Sequence, residues 1–141
     1  MKKQTLIAAV LCLVVGLTVV PAYAQGHVVK GKVPFNFTVL EKTFPAGDYM
    51  MLGSPHQLKI KDAYGKVVAM VLANEVSGGS AGKTDQIMFH CYRDRCFLAE
   101  VWFSSQENGR ELPRSRAETN LRREEKGQYF AVLGEKLLSG Q

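Results

Sequence analysis

Short stretches in which apolar and polar residues alternate, each closed by turn residues, run through most of this chain. From Val33 to Val39 every second residue is apolar, and the stretch from Gln57 to Lys61 repeats the alternation. A period of two is typical of a β-strand that buries one face. The same pattern, together with shorter apolar runs, predicts further strands over residues 43–52, 67–73, 86–92, 95–103 and 129–133.

Residues 67–73 differ from the other predicted strands because they are apolar without interruption. A continuous apolar run of this length predicts a strand that is covered on both faces. The residues that follow are rich in glycine and serine, and they predict a mobile loop around Ser77–Gly82.

One segment near the C-terminal end predicts a helix. Ser115 and Glu118 are spaced as in a capping box, in which the serine hydroxyl and the glutamate carboxylate each accept a hydrogen bond from the other residue's amide. Gly127 stands where a helix would end, so the helix is predicted over residues 116–126. Its thin apolar stripe, Ala117 and Leu121, places it on the surface of the sheet.

Six or seven short strands followed by one helix predict a mainly β fold. The pattern is typical of a single-domain antiparallel β-sandwich or partly open barrel, here with one C-terminal surface helix. Residues 25–141 are expected to form this one domain, because a chain of that length can hold a hydrophobic core without a metal.

The first 24 residues have the composition of a bacterial signal peptide. Lys2 and Lys3 precede an apolar stretch over residues 6–20, and residues 21–24 end in the small-x-small pattern that signal peptidase cleaves. Cleavage after Ala24 leaves 141 − 24 = 117 residues and lowers the net charge from +5 to 16 − 13 = +3. We therefore expect a periplasmic or secreted protein without a membrane span after processing, and the modest charge excludes a strongly basic nucleic-acid binder.

Two other fates of this leader are open alternatives. If it is not cleaved, its apolar stretch would anchor the chain in the membrane, although Pro21 and the pair Ala22 and Ala24 favour cleavage. A lipoprotein anchor at Cys12 is disfavoured, because both the leucine three positions earlier and the small residue directly before the cysteine are missing.

Cys91 and Cys96 are the cysteines that remain after processing. If residues 93–94 form the tip of a hairpin, the two cysteines lie opposite each other with Cα atoms about 4.5 Å apart, which a disulfide can bridge. The same register places Met88 opposite Ala99. A redox pair and a metal site are the alternatives, but the spacing is not that of a thioredoxin-like motif and a zinc site needs four converging ligands.

Other patterns that suggest chemistry fail on spacing or context. Gly78–Thr84 looks like a phosphate loop, but Ser77 stands where the Walker pattern needs a glycine. No serine lies in a Gly-x-Ser-x-Gly turn, and His90 is interpreted as a half-buried sheet residue rather than a catalytic base. Glu100 has no second acid placed beside it, as a glycosidase pair requires. No catalytic, cofactor-binding or metal-binding residue is therefore predicted.

The strongest candidate for a partner-binding surface is a basic segment around the predicted helix. Glutamates interleave with its cations, and we expect Glu118 to pair with Arg122, four residues further on. The segment is interpreted either as a solvated helix face or as a patch that attracts anionic lipid headgroups or an acidic polysaccharide. Its cations are Arg110, Arg114, Arg116, Arg122, Arg123 and Lys126.

Four segments, residues 34–39, 42–49, 89–98 and 109–118, are similar to a known pattern. Together they resemble a family of small exported β-rich proteins that is abundant in acidobacteria and has no assigned activity. The family loop reads Tyr-Gly-Asp-Arg, so Arg93 departs from it, and paired cysteines at these positions are not a family habit. The resemblance implies a secreted β-rich domain and brings no activity, cofactor or site.

Export, modest charge and the β pattern lead to one hypothesis about function. We expect a non-enzymatic exported domain that binds an envelope component, an anionic glycan or another protein. The alternative is a small periplasmic hydrolase or thiol redox protein that uses Glu100, His90 or the cysteines. An enzyme should show a pocket with convergent polar groups, whereas a binding module should show an exposed apolar or basic patch.

Overall fold

The computed structural model describes residues 27–78 and 83–134. The predicted leader with Cys12 lies outside these ranges, as do residues 79–82 of the predicted loop. The helix described, α1, spans Arg116–Glu124. The strands are β1 (His27–Val33), β2 (Phe37–Val39), β3 (Lys42–Phe44), β4 (Gly47–Ser54), β5 (Gln57–Lys61), β6 (Val67–Leu72), β7 (Asn74–Ser77), β8 (Gln86–Tyr92), β9 (Arg95–Phe103), β10 (Asn108–Glu111) and β11 (Gln128–Leu133).

These strands form two sheets. The first sheet has the order β1-β4-β5-β6, and its pairs are antiparallel. The second sheet has the order β11-β8-β9-β10-β7, and β2 joins it through a parallel pairing with β9 while β3 pairs with β2. The structure therefore confirms a mainly β fold that fits the predicted β-sandwich with one helix, with a parallel pair added to the antiparallel arrangement.

The hydrophobic core lies between the inner faces of the two sheets. Met51 and Ile60 of the first sheet are fully buried, and so are Phe37 and Phe89 of the second. The rings of Phe37 and Phe89 meet edge to face with 5.4 Å between centroids, the arrangement that aromatic quadrupoles favour. In central strands such as β4, β5 and β8, the alternation of apolar and polar residues thus buries one face against the other sheet.

The hairpin of β8 and β9 has the predicted register near its tip. Cys91 faces Cys96 and Phe89 faces Leu98, as expected. The expectation that Met88 faces Ala99 is wrong, because a bulge shifts the register and Met88 pairs with Glu100 instead. The carbonyl of Ala99 accepts a hydrogen bond from the amide of Leu112, 2.9 Å away, so the bulge is tied to the segment that follows β10.

The sulfur atoms of Cys91 and Cys96 are 2.06 Å apart and form a disulfide across this hairpin. Both side chains are half-buried and pack against the core between the sheets. The bond closes a short loop, so it restricts the unfolded chain only modestly.

Replacing both cysteines with serine is expected to lower the free energy of unfolding by about 2 kcal/mol, because the unfolded chain gains the freedom that the bond removes. Urea denaturation of the double variant and the wild type measures the difference. A thiol titration without reductant checks the bond itself. Two reactive thiols at positions 91 and 96 would show that the disulfide is absent.

β6 contradicts the expectation that residues 67–73 are covered on both sides. The strand lies at the edge of the first sheet and pairs with β5 alone. Val67, Met70 and Leu72 are 43%, 52% and 74% exposed. An unbroken apolar run therefore marks an edge strand here, and its outward side chains are open to solvent.

The helix α1 forms where it was predicted but ends at Glu124, two residues early. Ser115 caps it by accepting from the amide of Glu118 at 3.2 Å, which is half of the predicted capping box. The expected apolar stripe is wrong at Ala117, which is exposed, while Leu121 is half-buried. Glu118 is the helical residue that is buried, and its carboxylate turns toward the second sheet.

Candidate functional site

The basic segment is divided by the fold. Arg110 does not belong to a partner-binding surface, because it is 2% exposed. From β10 its guanidinium reaches the first sheet and donates to the carbonyl of Ser54. It also donates to the carbonyl of Gly109 and lies near the carboxylate of Glu75, both in the second sheet. The other cations are exposed on or beside α1, namely Arg114, Arg116, Arg122, Arg123 and Lys126.

A cluster of polar side chains lies between α1 and the outer face of the second sheet. Glu118 is its centre, since its Oε1 atom accepts from Nδ1 of His90 at 2.9 Å and from the hydroxyl of Tyr92 at 3.3 Å. Arg114 approaches the same oxygen, with Nε 3.8 Å away. The ring of Tyr129 on β11 stands edge to face with the His90 ring, with 4.6 Å between centroids. We call His90, Tyr92, Arg114, Glu118 and Tyr129 the helix cluster.

The strand alternation explains why these residues meet. His90 and Tyr92 are two positions apart on β8, so both point to the outer face, while the cysteine between them points to the core. β11 pairs with β8 so that Tyr129 lies directly opposite His90. Gly127, just before β11, allows the backbone to lie close to the Tyr92 ring, because a Cβ atom at this position would be 2.6 Å from that ring.

The hydrogen bond between His90 and Glu118 places a hydrogen on Nδ1 of the imidazole, because a carboxylate oxygen only accepts. Nε2 is then an acceptor in the neutral ring and a donor in the protonated ring. This Nε2 atom is buried and has no hydrogen-bond partner among the described residues. Because buried polar atoms are nearly always paired, Nε2 is an atom of the helix cluster that a ligand or water hydroxyl would satisfy.

Burial raises the pKa of the Tyr92 hydroxyl, and the neighbouring Glu118 carboxylate raises it further. Arg114 and Arg122 act in the opposite direction through their positive charges. Both guanidinium groups therefore lie close enough to Tyr92 for their charges to influence its pKa.

Two cavities border the helix cluster. A smaller one, of about 80 Å³, separates α1 from β11. A larger one, of about 240 Å³, shares His90 and Arg114 with it and extends toward Glu111 and Pro113. The smaller cavity is lined by His90, Tyr92, Arg114, Arg122, Gly127, Gln128 and Tyr129.

The predicted ion pair between Glu118 and Arg122 is not formed. The cation nearest to the Glu118 carboxylate is Arg114, which precedes the helix. Arg122 has no carboxylate within 4.0 Å in the described part of the chain. Arg122 therefore contributes to the cavity wall a cation without an ion-pair partner among the described residues.

The residues considered for catalysis do not converge. Glu100 accepts a hydrogen bond from the indole of Trp102 at 2.7 Å, whereas the acid hydrogen-bonded to His90 is Glu118. Within residues 27–78 and 83–134, no serine or cysteine side chain is hydrogen-bonded to His90. Sequence reasoning missed the role of Glu118, which it treated as a capping residue. The spacing of three residues between Glu118 and Leu121 could have indicated that Glu118 faces the sheet, because residues three apart lie on the same face of a helix.

Within the same two ranges, no group of three or more His, Cys, Asp or Glu side chains is arranged to hold a metal ion. No helix described there combines the length and apolar composition needed to cross a bilayer. No family model, no curated protein and no solved structure matches this chain.

Proposed function

We propose that the protein is an exported, non-enzymatic binding domain of the bacterial envelope, periplasmic or secreted, that recognises an acidic sugar of an anionic glycan. The recognition site is the smaller cavity beside the helix cluster, and the ligand is a sugar that carries a carboxylate next to a hydroxyl group. The resemblance to exported acidobacterial proteins agrees with this location.

One observation carries the proposal: the Nε2 atom of His90 is buried without a partner among the described residues, and His90 lines a cavity that Arg114 and Arg122 also line. A hydroxyl can donate to Nε2 of the neutral ring or accept from Nε2 of the protonated ring, while the guanidinium groups bind carboxylates. Glu118 offsets the charge of Arg114, so Arg122 supplies the net positive charge of the site. A ligand with both a hydroxyl and a carboxylate satisfies both requirements at once.

The shape of the site fits part of a sugar. A cavity of about 80 Å³ is large enough for a carboxylate and an adjacent hydroxyl. Tyr129, 67% exposed, stands at the cavity wall and offers an aromatic surface for the rest of the ring. The remainder of the glycan would then extend over the protein surface.

The disulfide supports export, because such bonds persist mainly in oxidising compartments. The leader pattern at residues 1–24 supports the same location. Cell fractionation followed by N-terminal sequencing tests it, with Gln25 expected as the first residue of the exported chain.

Titration calorimetry with glucuronate tests the binding site. The wild type is expected to bind glucuronate and to bind glucose far more weakly, because glucose lacks the carboxylate. Arg122→Gln should weaken glucuronate binding about tenfold or more, the loss expected when a charge-assisted hydrogen bond is removed. Arg123→Gln is the matched control, since it removes an exposed cation from the adjacent position that does not line the cavity.

Two results would contradict the proposal. Equal affinity for glucuronate and glucose would exclude a role for the carboxylate. Equal losses in the Arg122 and Arg123 variants would show that the effect comes from net charge rather than from the cavity. Thermal melting of each variant confirms that the fold is unchanged, because both residues are exposed.

A second candidate function, hydrolysis, is supported by the pairing of His90 with Glu118. A histidine oriented by a carboxylate is the arrangement of a general base. If the protein cleaves a uronic-acid glycoside and His90→Gln abolishes the cleavage, the domain is an enzyme. If it binds the glycoside and releases no product, the binding function stands.

A further inference from the structure

The outer face of the first sheet carries an unusual mixture of lysines and apolar side chains. In β1 and β5 the outward positions are mainly lysines. In β4 the middle outward positions are Met50 and Leu52, flanked by Asp48 and Ser54, and in β6 the exposed positions are apolar. The pairing register places Lys59 between Leu52 and Met70, and Met50 between Lys30 and Lys61. We call this surface the lysine face, and its cations are Lys30, Lys32, Lys59 and Lys61.

The lysines of this face have no acidic partners. None of the four forms an ion pair within 4.0 Å in the part of the chain that the structure describes. The acids at this face are Asp48, opposite Lys32, and Asp62, which lines a cavity with Lys30 and Asp48. With Lys66 of the hairpin between β5 and β6 counted as well, the face has a formal charge of 5 − 2 = +3. An unpaired cationic surface attracts an anionic partner.

Several apolar side chains of the lysine face are exposed to solvent. Met50 and Leu52 are half-buried in the middle of the sheet, while Met70 and Leu72 on the edge strand are 52% and 74% exposed. Tyr64, at the tip of the hairpin between β5 and β6, is 95% exposed. Contiguous exposed apolar side chains on a soluble domain mark an interaction surface.

We propose that the lysine face docks onto the surface of an anionic lipid bilayer. Lysine stems lie along apolar surface while their ammonium groups extend to the phosphates, so an interleaved arrangement suits the boundary between headgroups and acyl chains. An acidic groove of a protein partner would be matched by a cationic ridge or pocket. On the lysine face, by contrast, the lysines alternate with methionine and leucine from strand to strand across an open sheet.

This docking goes beyond glycan recognition and uses a different part of the molecule. The lysine face is the outer side of the first sheet, and the helix cluster lies on the outer side of the second sheet, across the core. A domain lying on a bilayer through its lysine face therefore presents the helix cluster away from the lipid, where a glycan can reach it. The two sites can be disabled separately.

Vesicle co-sedimentation tests the docking, with the protein used as the producing cell processes it. The anionic vesicles contain roughly one part phosphatidylglycerol to two parts phosphatidylcholine, and the neutral vesicles contain phosphatidylcholine alone. We expect binding to the anionic vesicles that weakens as salt is added. The triple variant Lys30→Gln, Lys59→Gln, Lys61→Gln should lower the partition coefficient by roughly fivefold per lysine, about 100-fold in all.

A matched triple variant controls for charge. Lys42→Gln, Lys83→Gln and Lys126→Gln removes the same number of exposed lysines from elsewhere on the molecule and should bind almost as the wild type does. Leu72→Gln, which is not expected to disturb folding because the side chain is exposed, should also weaken binding. Circular dichroism verifies the fold of every variant.

The docking proposal is overturned by equal binding to anionic and neutral vesicles, or by equal losses in the two triple variants. Binding of poly-glutamate that matches vesicle binding and depends on the same lysines would identify an acidic protein as the partner and would also overturn it. Glucuronate binding should be unchanged in the lysine variants, so failure of one proposal does not imply failure of the other.

Discussion

Replacing Glu118 with alanine is expected to lower the free energy of unfolding by about 3 kcal/mol. The carboxylate is 4% exposed and accepts from both His90 and Tyr92. Without it, the imidazole and the phenol each keep a buried donor that has no acceptor, and α1 loses its polar contacts with the second sheet. Urea denaturation followed by the fluorescence of Trp102 measures the loss.

Two variants sharpen this test. Glu124→Ala removes an exposed acid from the same helix and should change stability by less than about 0.5 kcal/mol. Glu118→Gln keeps one acceptor oxygen, so its loss should lie between those of the two alanine variants. If Glu118→Ala were no worse than Glu124→Ala, the buried carboxylate would not hold the helix on the sheet.

Replacing Phe89 with alanine is expected to cost about 4 kcal/mol of stability, because the substitution opens a cavity between the two sheets. The ring is fully buried and contacts Phe35 and Phe37 at centroid distances of 5.1 and 5.4 Å. The loss should appear as a lower denaturation midpoint in urea with a similar slope, as expected when the native state alone is weakened.

Tyr64→Ala is the control for the aromatic substitution. This side chain is also large, but it is 95% exposed at a hairpin tip, so its removal should leave the midpoint almost unchanged. A small effect at Phe89 would mean that the two sheets do not share a packed core. A large effect at Tyr64 would mean that solvent exposure does not identify the residues that stabilise this fold.

The sequence predicted those parts of the fold that depend on neighbouring residues. The register of the hairpin from Phe89 to Leu98 follows from alternation and a two-residue tip, and the start of α1 follows from the capping serine. The bulge that leaves Ala99 unpaired was missed, because its carbonyl bonds to Leu112, beyond the hairpin. The exposure of β6 was missed because apolar composition does not reveal a strand's place in the sheet order.

The candidate site was predicted less well, for a related reason. Glu118 was assigned a local role, but its partners His90 and Tyr92 lie 28 and 26 residues away in the chain. The same limit applies to Arg110, which looks like an exposed cation in the sequence and is buried against carbonyl groups of both sheets. Contacts between distant segments decide both cases, and no local pattern encodes them.

The most direct measurement of the binding site is the ¹⁵N resonance of the His90 imidazole during a glucuronate titration. A hydroxyl that pairs with Nε2 would shift that resonance, because Nε2 is buried and has no partner among the described residues. His27 and His56 lie outside the helix cluster and serve as internal references. We expect the Nε2 resonance of His90 to move to saturation while the references stay fixed. An unchanged His90 resonance, or equal shifts in all three histidines, would contradict the proposed site.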